Sequence, residues 1–317
     1  MKRLSFVVSF CILSLGAMNA QFVSQYSQYM FVKGSFNPAA IAEGEMMRLS
    51  GIHRQQWLGM PGAPADTYFS LSMPFTIDKK NFGAGLVFDD EKMGLFTKQF
   101  VALQGAYKFK LGEGVMSLGA NIGAISVGFQ GDSAYVPTGD DYHVAKTSDN
   151  AIPSSQVSGM ALDLSLGAYY STANWFAGIS LMDANQPTIH WTDNQDTYVG
   201  SMLYLTGGYS LPIANTNFTF KPSMLVKTNF VNYQTDLDCL LDYKNKFWGG
   251  LAYRFDDAVI FMGGIKLANG LTFGYSFDLP VTNLISATYG SHELFVTYDF
   301  NISLDKKKNR YKSVRIL

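Results

Sequence analysis

The feature that most constrains this chain is an alternation of apolar and polar residues that recurs along nearly its whole length. Between Leu271 and Phe277 every second residue is leucine, phenylalanine or tyrosine, and the stretch from Leu294 to Phe300 repeats the pattern. Successive side chains of a β-strand point to opposite faces, so each stretch predicts a strand with one apolar face. No helical stretch of useful length is present to cover those faces as a second layer. A closed sheet whose apolar face meets lipid satisfies the pattern.

Composition separates the two fold classes that remain, a soluble β protein and a transmembrane barrel. Beyond the first 20 residues no run of about 18 apolar residues exists, so no membrane helix is available. Aromatic residues make up 15% of the chain and it contains 30 glycines. Aromatic girdles and glycine-assisted curvature are typical of outer-membrane barrels. We therefore expect an all-β fold, a transmembrane antiparallel up-and-down β-barrel of about 14 strands over residues 47–300.

Residues 1–20 have the pattern of a secretory signal peptide. Lys2 and Arg3 precede an apolar run from Leu4 to Leu15, and Ala20 before Gln21 is a plausible cleavage point. Without this segment the chain has 22 basic and 25 acidic residues, a balance that argues against nucleic acid as a partner. Export and a barrel together predict the bacterial outer membrane as the location.

The strands and their connections predict an orientation. Strands are expected at residues 48–57, 67–73, 81–89, 98–109, 115–129, 161–171, 174–181, 199–211, 217–230, 234–243, 246–255, 258–267, 271–277 and 293–300. Connections after even-numbered strands are short, whereas the longest loops, residues 131–159 and 183–197, follow odd-numbered strands. Outer-membrane barrels have short periplasmic turns and long extracellular loops, so both barrel termini are expected in the periplasm.

The two ends of the chain lie outside the predicted barrel. Residues 21–46 carry aromatic residues without a steady period and then the turn signal Asn37-Pro38. They could fill the lumen as a plug, pack beneath the barrel on the periplasmic side, or form a linker. Residues 301–317 form a basic tail in which apolar residues such as Tyr311 and Val314 alternate with cations. It is either a solvated end or a docking segment for a periplasmic partner or anionic headgroups.

The sequence contains no strong pattern of catalytic or metal-binding residues. His53, His143, His190 and His292 are isolated in the sequence, without metal-ligand spacing or a nucleophile motif beside them, so we predict no enzymatic activity, metal or cofactor. The acidic clusters at 89–91 and 256–257 are interpreted as solvated loop tips, with weak calcium binding as the alternative. Mixed charges predict a lumen face where ions pair with one another or contact a plug, and not a selective channel of one sign. These residues are Arg48, Arg54, Lys108, Asp163, Lys221, Lys227, Asp236, Asp238, Lys246 and Arg254.

Motifs at both ends resemble the PorP/SprF family of outer-membrane proteins. The N-terminal motif includes Gln25, Tyr26, Ser27, Gln28, Tyr29, Met30, Asn37 and Pro38, followed by Arg54, Gln56, Trp57, Gly59, Gly62 and Pro64. The closing residues Tyr311 to Leu317 are similar to the ending of the family. The resemblance covers the mature chain. It implies a non-enzymatic component of the type IX secretion system that assists secretion or surface attachment of adhesins, with a link to gliding motility in some members.

The resemblance also suggests partners. They are other components of the secretion system, periplasmic ring or peptidoglycan-linked proteins, and cargo with C-terminal sorting domains. We expect the tail to contact such a partner through Lys306, Lys307, Lys308, Arg310, Tyr311, Lys312 and Arg315. Two other functions stay open from the sequence. One is a plugged channel for small or hydrophobic solutes, like the fatty-acid uptake channels, and the other is a purely structural or adhesive barrel.

Overall fold

The computed structural model describes residues 24–134, 153, 155–192 and 195–301 of the chain. Most of these residues are in strands: β1 (Met47–Gln55), β2 (Ala65–Ile77), β3 (Lys80–Met93), β4 (Phe96–Leu111), β5 (Gly114–Gln130), β6 (Gln156–Ser171), β7 (Trp175–Met182), β8 (Thr188–Thr192), β9 (Gln195–Tyr198), β10 (Met202–Tyr209), β11 (Leu211–Pro212), β12 (Phe218–Thr228), β13 (Tyr233–Tyr243), β14 (Phe247–Arg254), β15 (Ala258–Lys266), β16 (Leu271–Pro280) and β17 (Ser291–Phe300). Short 3₁₀ helices occur at Tyr29–Phe31, Lys33–Ser35, Pro38–Ala42, Gly131–Ser133 and Asn283–Ser286.

Fourteen of the described strands, all except β8, β9 and β11, form one closed antiparallel barrel. Neighbours in the chain pair with each other, and β1 pairs with both β2 and β17. The sheet closes where β10 pairs with β7 on one side and β12 on the other. Closure gives the strands hydrogen-bonded neighbours on both sides, which a membrane interior requires. The predicted all-β barrel and its count of about 14 strands are confirmed.

The outward face of the barrel carries the apolar half of the alternation. Leu103 on β4 is 62% exposed and Leu294 on β17 is 60% exposed, whereas their neighbours Gln104 and Phe295 are 5% and 3% exposed. A large apolar side chain at such exposure is unfavourable in water, and a hydrocarbon environment removes that cost. Among the described residues, no helix has the length and apolar character needed to cross a membrane.

The two ends of the barrel differ in their connections. β2 joins β3 through Asp78 and Lys79, and β13 joins β14 through Lys244 and Asn245, all four with positive φ. Two residues with φ > 0 fit the tight type I′ turn of a β-hairpin. The barrel begins at Met47 and finishes at Phe300, at this same end. Short turns mark the periplasmic end of outer-membrane barrels, so both barrel termini lie there.

A hairpin stands where the sequence predicted an irregular loop over residues 183–197. Strands β8 and β9 pair outside the barrel sheet, with a register shift between His190 and Thr192. Ile189 is fully buried beside Ile125 and Val127 of β5, and the Trp191 Nε1 donates a hydrogen bond to the Val127 carbonyl oxygen (2.8 Å). The alternation here is too short to signal a strand by itself, and packing on β5 supplies the missing stabilisation.

Candidate functional site in the barrel lumen

Residues 24–42 run through the lumen, and we call them the lumen segment. Ser24 donates hydrogen bonds to Asp89 (3.3 Å) and Glu91 (3.2 Å) in the half of β3 away from the periplasm. At the other end of the segment, the Pro38–Ala42 helix is fully or almost fully buried. The segment therefore crosses the barrel from its extracellular half to its periplasmic end among inward-facing side chains.

Two arginines and three acidic residues form a buried ion network around the lumen segment. Arg54 of β1 contacts Asp278 at 2.7 Å and Glu293 at 3.4 Å. Arg254 of β14 contacts the same Asp278 at 3.1 Å and Asp236 of β13 at 3.0 Å. Both arginine side chains are 98% or more removed from solvent, at 2% and 0% exposure. Buried charges require such partners, because desolvation of an isolated ion costs several kcal/mol.

Ser27 connects the lumen segment to this network. Its hydroxyl donates to Asp278 (2.7 Å) and accepts hydrogen bonds from Arg54 (2.7 Å) and Arg254 (3.2 Å). Its backbone N–H donates to Glu293 at 2.7 Å, and the backbone N–H of Gln28 donates to the same carboxylate at 2.8 Å. A hydroxyl fits here because it is both donor and acceptor, and a serine leaves space for two guanidinium groups.

Two tyrosines fix the same stretch on either side of the network. The Tyr29 hydroxyl donates to Asp238 of β13 at 2.6 Å, and the Tyr26 hydroxyl donates to Asp89 of β3 at 3.1 Å. A tyrosine hydroxyl is protonated at neutral pH, so both side chains act as donors to these carboxylates. Gln25 completes this set with a 2.8 Å hydrogen bond to Gln234.

Asn37 and Pro38 begin the helix that lies against β5 and β6. The Asn37 side chain accepts a hydrogen bond from the backbone N–H of Ala39, and its amide donates to the carbonyl oxygens of Ala168 and Ile179. Proline is well suited to the first helical position because its N–H would be unpaired there. Gly119 of β5 permits the contact, since a Cβ on it would lie 2.5 Å from the Ala39 nitrogen.

An aromatic cluster holds the middle of the lumen segment. Phe31 stacks on Phe295 with ring centroids 4.6 Å apart and lies at the same distance from Trp248. Gly274 of β16 lies against the Trp248 ring, and a Cβ on this glycine would be 2.6 Å from that ring. Met30 packs beside this cluster and beside the neighbouring one around Tyr29. The glycine therefore makes room for an indole inside the wall.

The second part of the N-terminal motif forms the β1–β2 connection at the extracellular end. The Gln56 backbone N–H donates to the Pro64 carbonyl oxygen at 2.9 Å, and the Trp57 N–H donates to the Ser291 hydroxyl at 3.1 Å. Gly59 and Gly62 have φ values of 95° and 72°, which favour glycine. The connection is thereby tied to the start of β17. Of the motif residues outside the lumen segment, only Arg54 reaches the ion network.

One acidic cluster was misread from the sequence. Asp89 and Glu91 are not at a solvated loop tip: both face inward from β3, and Glu91 is 5% exposed. They bind Ser24 and Tyr26, and Lys98 lies 3.5 Å from Glu91. The two-residue spacing places both on one face of a strand that is longer than predicted. Asp256 and Asp257, by contrast, do lie in the turn between β14 and β15.

The histidines are apart from one another. His53 and His292 are on barrel strands, at 2.9 Å from Thr67 and 2.6 Å from Tyr275, and His190 contacts Asp196 in the β8–β9 hairpin at 2.7 Å. His53 and His292 alternate with the inward Arg54 and Glu293, so they face outward. No group of three potential ligands that could hold a metal is found among the described residues. His143 lies outside them.

The charged residues predicted on the lumen face do face inward. Four of the cations pair with acidic residues that were not predicted on the lumen face: Arg48 with Asp299, Arg54 with Asp278 and Glu293, Lys221 with Asp242, and Arg254 with Asp278. The signal was available, because Asp278 and Glu293 alternate with the outward Phe277 and Leu294. The tail residues Lys306, Lys307, Lys308, Arg310, Tyr311, Lys312 and Arg315 lie outside the described residues.

Comparison with known proteins adds a family match. A family model described as "Type IX secretion system membrane protein PorP/SprF" matches residues 18–298. A search of curated proteins gives no match. Similar solved structures include the outer membrane protein Omp33 of Acinetobacter baumannii, at 7% identity and a TM-score of 0.46, covering 81% of this chain and 98% of that one. A Pseudomonas aeruginosa FadL homologue has 12% identity and a TM-score of 0.47, with coverages of 84% and 93%. The family match, not these distant structures, supports an assignment.

Proposed function

Because the chain belongs to the PorP/SprF family of type IX secretion system membrane proteins, we propose that it assists the secretion or surface attachment of cargo proteins through contacts with partners. Its place is the outer membrane, as the barrel and the family together indicate. The cargo class proposed is adhesins and gliding-motility-type proteins with C-terminal sorting domains. The partners proposed are periplasmic ring or peptidoglycan-linked components of the same system. We propose no enzymatic step.

The observation that favours partner contacts over passage of a solute is the occupied lumen. Ser27, Gln28 and Tyr29 are at most 2% exposed and hydrogen-bonded to the wall at mid-barrel. A route for solutes would have to break hydrogen bonds to buried carboxylates, each costing about 1.5–3 kcal/mol. The alternative of an uptake channel for hydrophobic solutes would need a continuous apolar passage, whereas this cross-section is charged.

Removal of the basic tail, residues 306–317, is expected to reduce cargo secretion and partner co-purification while barrel abundance stays unchanged. β17 ends at the periplasmic end of the barrel, the tail follows it in the sequence, and the cations of the tail would attract an acidic surface of a soluble partner. Secreted cargo and co-purified proteins would be measured from native membranes. A variant with the same tail residues in scrambled order keeps charge and length, and so tells specific recognition from charge alone. Undiminished secretion and co-purification after the deletion would remove the tail from the mechanism.

A further inference from the structure

A cavity of about 340 Å³ lies at the periplasmic end of the lumen, between the lumen segment and the barrel wall. We call it the periplasmic vestibule. Asn174 and Asn245, from two of the short turns, lie at its rim, and Phe31, Phe176 and Trp248 give it apolar walls. Its volume falls within the range of about 300–1,000 Å³ that ligand pockets occupy.

The charges in the vestibule are mostly paired. Lys33 contacts Glu43 at 2.9 Å, Arg48 contacts Asp299 at 2.6 Å, and Lys221 contacts Asp242 at 3.1 Å. Among the described residues, these three pairs use every acidic side chain that lines the cavity. The vestibule also contains Lys246 and Lys266. Neither has an acidic partner within 4 Å in the part of the chain that the structure describes.

Lys246, the last residue of the turn before β14, lies beside Lys266, the last residue of β15. The backbone N–H of Lys266 donates to the Lys246 carbonyl oxygen at 2.7 Å, just beyond the paired residues Phe247 and Ile265. Phe247 is 54% exposed on the outward face, whereas the preceding Lys246 lines the vestibule. Like charges on neighbouring backbone segments of a sheet repel each other, which is destabilising. An anion bound between the two ammonium groups would remove that repulsion.

We propose that the periplasmic vestibule binds a carboxylate-bearing peptide segment of a periplasmic protein. Its carboxylates would pair with Lys246 and Lys266, and an aromatic or aliphatic side chain would pack against Phe176 and Trp248. A lipid phosphate group is a less suitable ligand than a peptide carboxylate, because the two lysines face the interior of the barrel and lipid headgroups surround its exterior. The basic tail of this chain is repelled by the same charges. The inference rests on the proposed function only in taking the partner to be a protein.

The test uses the full chain in phosphatidylcholine nanodiscs and a fluorescein-labelled peptide, Gly-Asp-Glu-Phe-Glu-Asp-Gly. Fluorescence anisotropy is expected to show binding at least about tenfold tighter than for the Asn/Gln version of the peptide, since charge-assisted hydrogen bonds are lost. Lys246→Gln with Lys266→Gln should weaken binding by about tenfold or more. The control, Lys79→Gln with Lys80→Gln, removes two cations at the same end but outside the vestibule and should leave affinity unchanged.

A charge reversal guards against a folding defect as the explanation. Lys246→Glu with Lys266→Glu should lose the acidic peptide and gain its lysine counterpart, which a misfolded barrel would not do. Equal affinity for the acidic and amide peptides, or equal losses in the vestibule and control variants, would overturn the proposal. Loss of peptide binding when the nanodisc contains phosphatidylglycerol would also overturn the proposal, because it would mean that the site binds lipid. Secretion is not read out here, so this result and that of the tail deletion can fail separately.

Discussion

Replacement of Arg54 by methionine is expected to lower the free energy of unfolding of the barrel by about 3–5 kcal/mol. Methionine keeps much of the volume but leaves Asp278 and Glu293, both at most 2% exposed on their side chains, without a cation on β1. A buried charge without its partner costs far more than the pair contributes. The measurement is an equilibrium guanidinium titration of the chain folded into lipid bilayers, followed by tryptophan fluorescence.

Arg48 offers a matched control on the same strand. It also pairs with a carboxylate, Asp299 at 2.6 Å, but its side chain is 44% exposed at the periplasmic end. Arg48→Met is therefore expected to cost roughly 1 kcal/mol or less, as other exposed ion pairs do. If Arg54→Met lowers the free energy of unfolding no more than Arg48→Met does, the ion network does not hold the lumen segment and the barrel wall together.

Leu103→Arg is expected to destabilise the barrel by about 2–4 kcal/mol, because an arginine at the bilayer midplane must be solvated by hydrocarbon. Leu103 is 62% exposed near the middle of β4, on the outward face. Leu111, 51% exposed, is the last residue of the same strand and lies at the periplasmic interface. There the same substitution should cost only about 0–1 kcal/mol.

The comparison of Leu103→Arg with Leu111→Arg tests the surroundings of the outward face. Both residues are exposed leucines on one strand, so a difference reports depth in the membrane and not the loss of leucine. The same bilayer unfolding titration measures both variants. Equal costs at the two positions would mean that the outward face of β4 does not cross hydrocarbon.

Much of the barrel follows from a single periodicity. Alternation such as Leu294, Val296 and Tyr298 against Glu293 and Phe295 is a local signal, which explains why strands and their faces were predictable. The family assignment came from motif residues and was confirmed by the family match over residues 18–298. The roles predicted for the motif and tail residues stay predictions.

What the sequence did not reveal depends on contacts between distant residues. Ser27 is hydrogen-bonded to Asp278 although the two are 251 residues apart in the sequence, and no local sequence pattern predicts such a contact. The short stretch around Ile189 becomes a strand only because β5 offers it an apolar surface. Asp89 and Glu91 look like a solvated acidic run until the lumen segment supplies Ser24 and Tyr26 as donors. In each case a partner from another part of the chain decides the structure.

Residues 24–42 of the chain occupy the barrel lumen, and on this ground we propose that the protein works through partner contacts instead of passing solutes. Ion conductance of the full chain in planar bilayers tests this most directly, with a porin as the control for insertion. The account predicts no stable conducting steps, because Ser27, Gln28 and Tyr29 are bonded to the wall at mid-barrel. Steady open-channel currents from the intact chain would contradict it.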